Sequence, residues 1–599
     1  MHMIFSLIGA YVLVDYLRVD TTCVIVFPVA LVLQFLHKYK IQNKEEFDKN
    51  KKWIFLLSLV FSGTIVLCKH MVINFESFYS DITTNYIIEF KCKDVIALCI
   101  LCYESMLVSF GIIKILLSNR LKKIFCDKEK VCEARMTGIS SSKEMFILAG
   151  IILICWIPYF IKYFPGILYG DSKQSLFQIV GDIEYNNHHP IMYTLFIKGC
   201  LYIGRLIGGN TNGVALYSIL QMLLMSIIFG YSVCWLRNKN ISKFICCIVF
   251  LFYALPRFWG QHAISMWKDP AFSVLVLFFS LKLFDIIYSR GRVVGEKGFK
   301  IQVVLCVLGI SFLRNNGIYV VAFSLFVLMI CLIEKGNRRL FDRKFLLSMV
   351  VLLIAIYLIQ GPGYNKIGLY TDPVESYGVP LQQVARTVVY NGKISREEKA
   401  FLNELMPLDK YAENYSPGLV DHLKWSEDFN TAFFNEHQNE FKRVWVELFK
   451  KNPKLYFESL ALNTAGFWGI NYWELNGYTQ NVAMGVPLGE ELNDLFQIKV
   501  RNNQSEENTY FSLTTPMPSI ALTLWIMLGM LVVAFVKKVP RYIIIFAPCI
   551  GNIITLMVAS PITYWPRYGL SLICLLPICI VFPFIMEFSK CNESGKKNG

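Results

Sequence analysis

Apolar runs of about 20 residues, long enough to cross a hydrocarbon layer, recur along this chain and are separated by short basic stretches. A chain patterned in this way is confined to helices, because in lipid every backbone N–H and C=O must find its partner within the segment. Candidate spans run near 3–19, 22–37, 53–68, 94–117, 145–163, 213–236, 243–257, 270–288, 300–313, 317–333, 345–360, 516–536, 541–559 and 568–587. The expectation is an all-α polytopic membrane protein with about fourteen transmembrane helices. A composition 55% hydrophobic and only 17% charged excludes disordered, collagenous and small disulfide-stapled chains. The net charge of +15 does not imply nucleic acid as a partner, since the basic residues fall between apolar segments and not on one soluble face.

Those basic residues carry a topology signal instead. The stretches 38–52, 119–144, 237–243, 289–300, 334–344, 537–541 and the carboxyl tail all fall on one side when fourteen spans are counted. The positive-inside rule makes that side the cytoplasm and places both termini there. Counting the apolar stretch 191–207 as a further span would turn every later basic loop outward. The segments 173–181 and 190–207 are therefore expected as two helices on the outer membrane surface, within a first external loop 163–212.

Five regions follow. Residues 1–118 read as a four-helix membrane appendage, with a retained first helix in place of a cleaved signal. A basic cytoplasmic loop spans 119–144, a membrane module 145–360, a mainly helical extracytoplasmic domain 361–515, and the last membrane helices with a cytoplasmic tail 516–599. The chain has 18 cysteines, but the polar region 364–514 has none. An exported domain that needs no oxidative folding fits a bacterial plasma membrane. Cys99 and Cys102 form a CxxC that lies inside an apolar helix, where two small apolar residues on one face are the plainer reading.

No phosphate-binding loop, dinucleotide fingerprint or H-E-x-x-H is present. The ionisable residues that stand out lie beside outer span ends: Asp171, His188, His189, Lys268, Asp269, Arg314 and Arg567. Charge at such depth is expensive unless it faces a shared cavity. Asp171 can serve as a general base for a hydroxyl at the membrane boundary, or as a cap for a helix starting at Lys173. Asp269 precedes Pro270, a favoured first helical residue, and has the same two readings. His188 and His189 would diverge by about 100° in a helix, so they do not readily share a metal. Arg314 and Arg567 suit bidentate phosphate binding or snorkelling to lipid head groups. Glu104 and Lys114, inside an apolar span of the appendage, are the residues a transporter would offer.

The segments FPGILYGDS (164–172), NNHHPIMYT (186–194), WKDP (267–270), FLRNNGIY (312–319) and PLQQVARTV (380–388), in this order and sidedness, resemble the GT-C superfamily of polytopic glycosyltransferases. The wording is similar to a family of Gram-positive membrane proteins placed near the O-mannosyltransferase and aminoarabinose transferase types. The resemblance covers about residues 145–587. It implies a GT-C-like fold, with Asp171 and Asp269 as the acids of the first and second outer loops and His189 beside them as catalytic residues. It also implies a substrate-binding set of His188, Lys268, Arg314, Asn315, Gln383, Arg386, Tyr564 and Arg567. The first-loop acid of several relatives is followed by Glu, whereas Ser172 stands here. The implied donor is a sugar on a polyprenyl phosphate, and the acceptor a surface glycopolymer, a lipid-linked glycan or a protein. A divalent cation (Mg or Mn) held by Asp171 and Asp269 stays open. Rival readings are a polysaccharide polymerase or ligase, a lipid or ion transporter, and a scaffold protein.

Overall fold

The computed structural model describes residues 2–19, 21–71, 89–127, 142–168, 170–333, 343–369, 371–470, 479–482, 496–499, 515–559 and 566–585. Among these, nine helices are long and apolar enough to cross a membrane, or ten if a pair bent by 55° is one span. The chain is thus an all-α, multi-pass membrane protein. Each of the fourteen apolar stretches falls on helix, but several of those helices are shorter than a full crossing.

The amino-terminal module consists of α1 (His2–Tyr16), α2 (Cys23–Gln42), α3 (Lys44–His70) and α4 (Cys92–Leu116). It docks through stacked Trp53 and Phe535, whose ring centroids are 4.1 Å apart, and through Phe61 against Trp525. Lys114 pairs there with Glu46, and Cys99 and Cys102 both sit in α4 as free thiols. After a short helix, α5 (Asn119–Phe125), the membrane module begins with α6 (Ser142–Lys162). It continues through α7 (Gly170–Val180), α8 (Ile191–Leu206) and α9 (Asn210–Asn238). The bent pair α10 (Lys243–Ala254) and α11 (Arg257–Ala263) leads into α12 (Lys268–Tyr288). Helices α13 (Lys297–Leu313), α14 (Gly317–Ile333) and α15 (Arg343–Leu358) complete it. The helices α7 and α8, of 11 and 16 residues, cover the two segments read from the sequence as surface helices.

The core runs along α12, which is apolar on all sides and buried nearly throughout, as a helix surrounded by other helices must be. The carboxyl-terminal helices, α20 (Ile520–Val536), α21 (Ala547–Ala559) and α22 (Leu570–Ile585), close around it.

Between α15 and α20 lies a second, separate core built from Val374, Leu381, Phe401, Phe434, Phe441 and Tyr456 among others. Its helices are α16 (Gly378–Val389), α17 (Arg396–Leu405), α18 (Gln438–Lys451) and α19 (Pro453–Trp468). A capping box of Ser395 and Glu398 starts α17. The domain rests on the membrane module through α19, where Trp525 Nε1 donates to the Trp468 carbonyl at 2.8 Å. A short antiparallel ribbon pairs β1 (Thr479–Val482) with β2 (Thr515–Pro518).

Candidate functional site

The irregular strap 264–267, between α11 and α12, places the site. Backbone that is not helical survives at membrane depth only when protein groups satisfy it, and here they do. From α9, the Gln221 amide donates to the carbonyls of His262, Ala263 and Ser265 at 3.0, 3.1 and 2.6 Å. Tyr217, one helical turn earlier on the same face, donates to the Trp267 carbonyl at 3.0 Å. Tyr193 of α8 donates to the Met266 carbonyl at 2.7 Å, and Ser172 of α7 bonds the same oxygen. The segment before α7 lies beside the strap, with Ile167 N donating to Ile264 O at 3.0 Å and Met266 N to Ile167 O at 2.8 Å. Gly166 makes this approach possible. Its φ of 148° disfavours a side chain, and a Cβ would stand 2.3 Å from Ser218 Oγ.

The strap thereby brings Asp171, from the first turn of α7, to Lys268 and Asp269, which open α12. Neither acid caps its helix as expected. Helix α7 begins at Gly170, ahead of Asp171, and the N-cap of α12 is Trp267. Asp171 Oδ2 accepts from Lys268 Nζ at 2.9 Å and from Arg567 Nη1 at 3.1 Å, while Oδ1 accepts from Arg567 Nη2 at 3.3 Å. Asp269 is fully buried; its Oδ1 accepts from Arg314 Nη1 at 2.6 Å, and its Oδ2 faces Arg567 Nε at 3.8 Å. The guanidinium of Arg314 also lies over Phe272 and Tyr568, and that of Arg567 over Trp267 and Tyr568, each about 5 Å from the ring centre.

His188 and His189 precede α8 in non-helical chain, with ring centroids 4.7 Å apart. His189 Nδ1 accepts from Lys268 Nζ at 3.3 Å, which requires a neutral imidazole. His188 turns toward the outer domain, 3.5 Å from Glu375 and with its ring 5.8 Å from that of Trp425. Asn187 knits the loop together. Its Oδ1 accepts from Ile191 N at 3.0 Å, its Nδ2 donates to Thr371 Oγ1 at 3.2 Å, and its carbonyl accepts from Asn315 Nδ2 at 3.0 Å.

Asp171, His188, His189, Lys268, Asp269, Arg314, Asn315 and Arg567 are therefore one constellation. Gln383 and Arg386 are not part of it. Arg386 is buried in the outer domain against Glu458 at 2.7 Å, and Gln383 is bound there to Trp445 at 2.8 Å and to the Tyr456 carbonyl at 3.3 Å. Their substrate-binding assignment gives way to a structural one, because their polar atoms are taken up by the domain core. Tyr564 lies outside the described residues. Glu375, Lys424 and Trp425, which face His188, lay hidden in a polar region whose sequence gives no spacing signal. Lys424 pairs with Glu375 at 2.5 Å and Asp421 at 2.9 Å, leaving Trp425 exposed at the rim.

Burial alone would raise the Asp171 pKa, but Arg567 and then Lys268 outweigh it and hold the carboxyl well below its ordinary range. Burial, reinforced by Lys268, pushes the His189 pKa well down, and burial lowers that of His188 despite Glu375. Both imidazoles refuse a proton that the unfolded chain accepts below about pH 6.5. Stability should consequently fall as the pH drops through that range. Thermal unfolding in detergent between about pH 7.5 and 5.5 checks this; a midpoint that does not move would refute it, and His189→Gln should shallow the decline.

Three cations, Lys268, Arg314 and Arg567, surround two carboxylates, so the constellation carries a formal surplus of one positive charge. A divalent cation does not fit that donor set, since both Asp171 oxygens and Asp269 Oδ1 already accept from cationic groups. No group of three or more His, Cys, Asp or Glu side chains suited to a metal occurs among the described residues. An anion fits, most of all one with several oxygens.

A model of a family of unknown function, DUF6020, matches residues 182–597, more than two thirds of the chain. The match takes in His188, His189, Lys268, Asp269, Arg314 and Arg567 and begins just after Asp171. No curated protein and no solved structure matches.

Proposed function

The chain belongs to the DUF6020 family, and we propose that it is a GT-C-type membrane glycosyltransferase of the bacterial plasma membrane. It moves a sugar from a polyprenyl-phosphate donor to an extracytoplasmic acceptor, with fourteen spans and both termini in the cytoplasm. One observation carries the reading: a buried, net-positive cluster at one end of the membrane helices, roofed by a helical domain and holding two carboxylates. A phosphate suits the cations, its polyprenyl chain suits the surrounding apolar helices, and a carboxylate beside it suits proton transfer. A nucleotide-linked sugar is a cytoplasmic molecule, whereas the positive-inside reading of the basic stretches favours the opposite side for this cluster.

The reaction is a single inverting displacement. An acceptor hydroxyl oxygen forms a bond to the anomeric carbon, the bond from that carbon to the phosphate oxygen breaks, and the electron pair leaves on the phosphate, which stays on the polyprenol. The hydroxyl proton passes to Asp171. At rest Asp171 is a poor base, because Lys268 and Arg567 tie its oxygens. An incoming phosphate competes for those same donors and raises the basicity of the carboxylate as the donor arrives. Arg314 and Arg567 then stabilise the charge that develops on the leaving group. His188, Asp421 and the exposed Trp425 face the rim, where an acceptor saccharide enters.

The test is to supply purified full-length protein in liposomes with a radiolabelled polyprenyl-phosphate sugar and an envelope fraction. The label should move from the lipid-extractable to the polymer or protein fraction. Label that stays in the lipid across a panel of sugars, with a folded protein that retains no polyprenyl phosphate, would overturn the proposal.

A further inference from the structure

A second buried ionisable group lies far from the cluster, in the amino-terminal module. Glu104 is the midpoint of α4, twelve residues from either end, so it lies about 18 Å along the helix from each. It is 3% exposed, and its Oε2 has no hydrogen-bond partner among the described residues. The other oxygen, Oε1, lies 3.3 Å from Nε2 of His37 on α2, itself 6% exposed. The position is shaped for this carboxyl, since a Cβ on Gly9 of α1 would stand 2.5 Å from Oε1.

A line of polar contacts leads away from the pair toward the basic run. His37 Nδ1 is 3.4 Å from the Tyr103 hydroxyl, which accepts from Lys40 Nζ at 3.3 Å. Lys40 belongs to the basic run 38–52 and lies over the rings of Phe47 and Tyr103. Toward the other end, Leu101, Ala97 and Ile65 form an apolar layer. Beyond that layer is a separate group in which Asp94 binds Tyr16 and His70. The groups facing Glu104 can be named helix by helix. Gly9 comes from α1 and His37 from α2, with Lys40 behind it; Ser62 from α3 is held to the neighbouring Ser105 at 3.2 Å. On α4 itself, Lys114 is engaged by Glu46 and Asp94 by its own partners.

An ionised carboxylate with one bare oxygen in an apolar interior is strongly disfavoured. With a proton on Glu104 beside a neutral His37, the pair carries no charge and the penalty is removed. We propose that Glu104 and His37 form an intramembrane proton-binding site, open through Tyr103 and Lys40 to the side that carries the basic run and closed toward the other. Loading adds one proton to the pair as a unit, and release returns it along the same contacts. The proposal does not rest on the glycosyltransferase reading.

Infrared spectroscopy on full-length protein in lipid bilayers tests it. The wild type should show a protonated-carboxyl band that is lost as the pH is raised from about 5 to 9 and is absent from Glu104→Gln. Tyr103→Phe should slow the loss after a pH jump several-fold without abolishing it. Gly9→Ala, which crowds the carboxyl but keeps it, should shift the band while leaving its intensity. It thus gives an answer even if the Gln variant does not fold. A band unmoved in Gly9→Ala, or one constant over the whole pH range, would overturn the proposal and leave a fixed, structural pair.

Discussion

Asp171→Asn should lower transfer by roughly 10²–10⁴-fold, the usual contribution of a positioned general base, while donor binding holds or tightens. The second half of that expectation comes from the charge count. A neutral amide in place of the carboxylate would no longer offset Lys268 and Arg567, which now face Asp171 at 2.9 and 3.1 Å, so the formal surplus of the cluster rises from one positive charge to two. A phosphate gains from that change, whereas the acceptor hydroxyl loses its proton acceptor. Turnover per folded molecule and retention of polyprenyl phosphate, measured on the same preparation, separate the two effects. If Asp171 served only to balance buried cations, the variant would unfold more easily but would transfer normally while folded. Normal turnover in the folded fraction would therefore end the catalytic assignment.

The parts of this protein that were legible in its sequence are those governed by periodicity and by the cost of charge in lipid. Apolar runs located the helices, and the same penalty picked out Asp171, Lys268, Asp269, Arg314 and Arg567, residues up to 396 positions apart that meet in one cluster. Pairing was not legible. Nothing local shows that Arg567 reaches Asp171 or that Arg314 takes Asp269, since both meetings depend on the strap 264–267 and on the side chains of Tyr193, Tyr217 and Gln221 that hold it. The helix-cap reading of Asp269 failed for a related reason. Pro270 does lie in the first turn of α12, but the helix starts two residues earlier because Lys268 and Asp269 are fixed by tertiary partners. In the outer domain, which lacks the lipid constraint, a charged residue carries little information until its surroundings are known. Arg386 and Trp425 show the two outcomes, the charged side chain being buried and the aromatic one exposed.

Arg386→Ala should destabilise the outer domain by about 3–5 kcal/mol, the penalty for stranding one member of a buried ion pair. A single Glu458 oxygen accepts from Arg386 Nη2 at 2.7 Å and from Nε at 3.2 Å, and the guanidinium lies 4.3 Å from the centre of the Tyr390 ring. Removing the arginine leaves Glu458, on α19, without its buried partner and with only the exposed Lys454 3.7 Å from its other oxygen. The loss would appear as rapid proteolysis of residues 371–470 in otherwise intact protein, and as a lower unfolding midpoint. Replacing both partners with apolar side chains, Arg386→Met with Glu458→Leu, removes the stranded charge and should recover most of the stability. The double variant also decides what Arg386 does for function. If the arginine bound substrate, transfer would stay low however stable the domain became. If, as its burial indicates, it only holds α16 to α19, transfer should return with stability, because the roof over His188 and Trp425 is again in place.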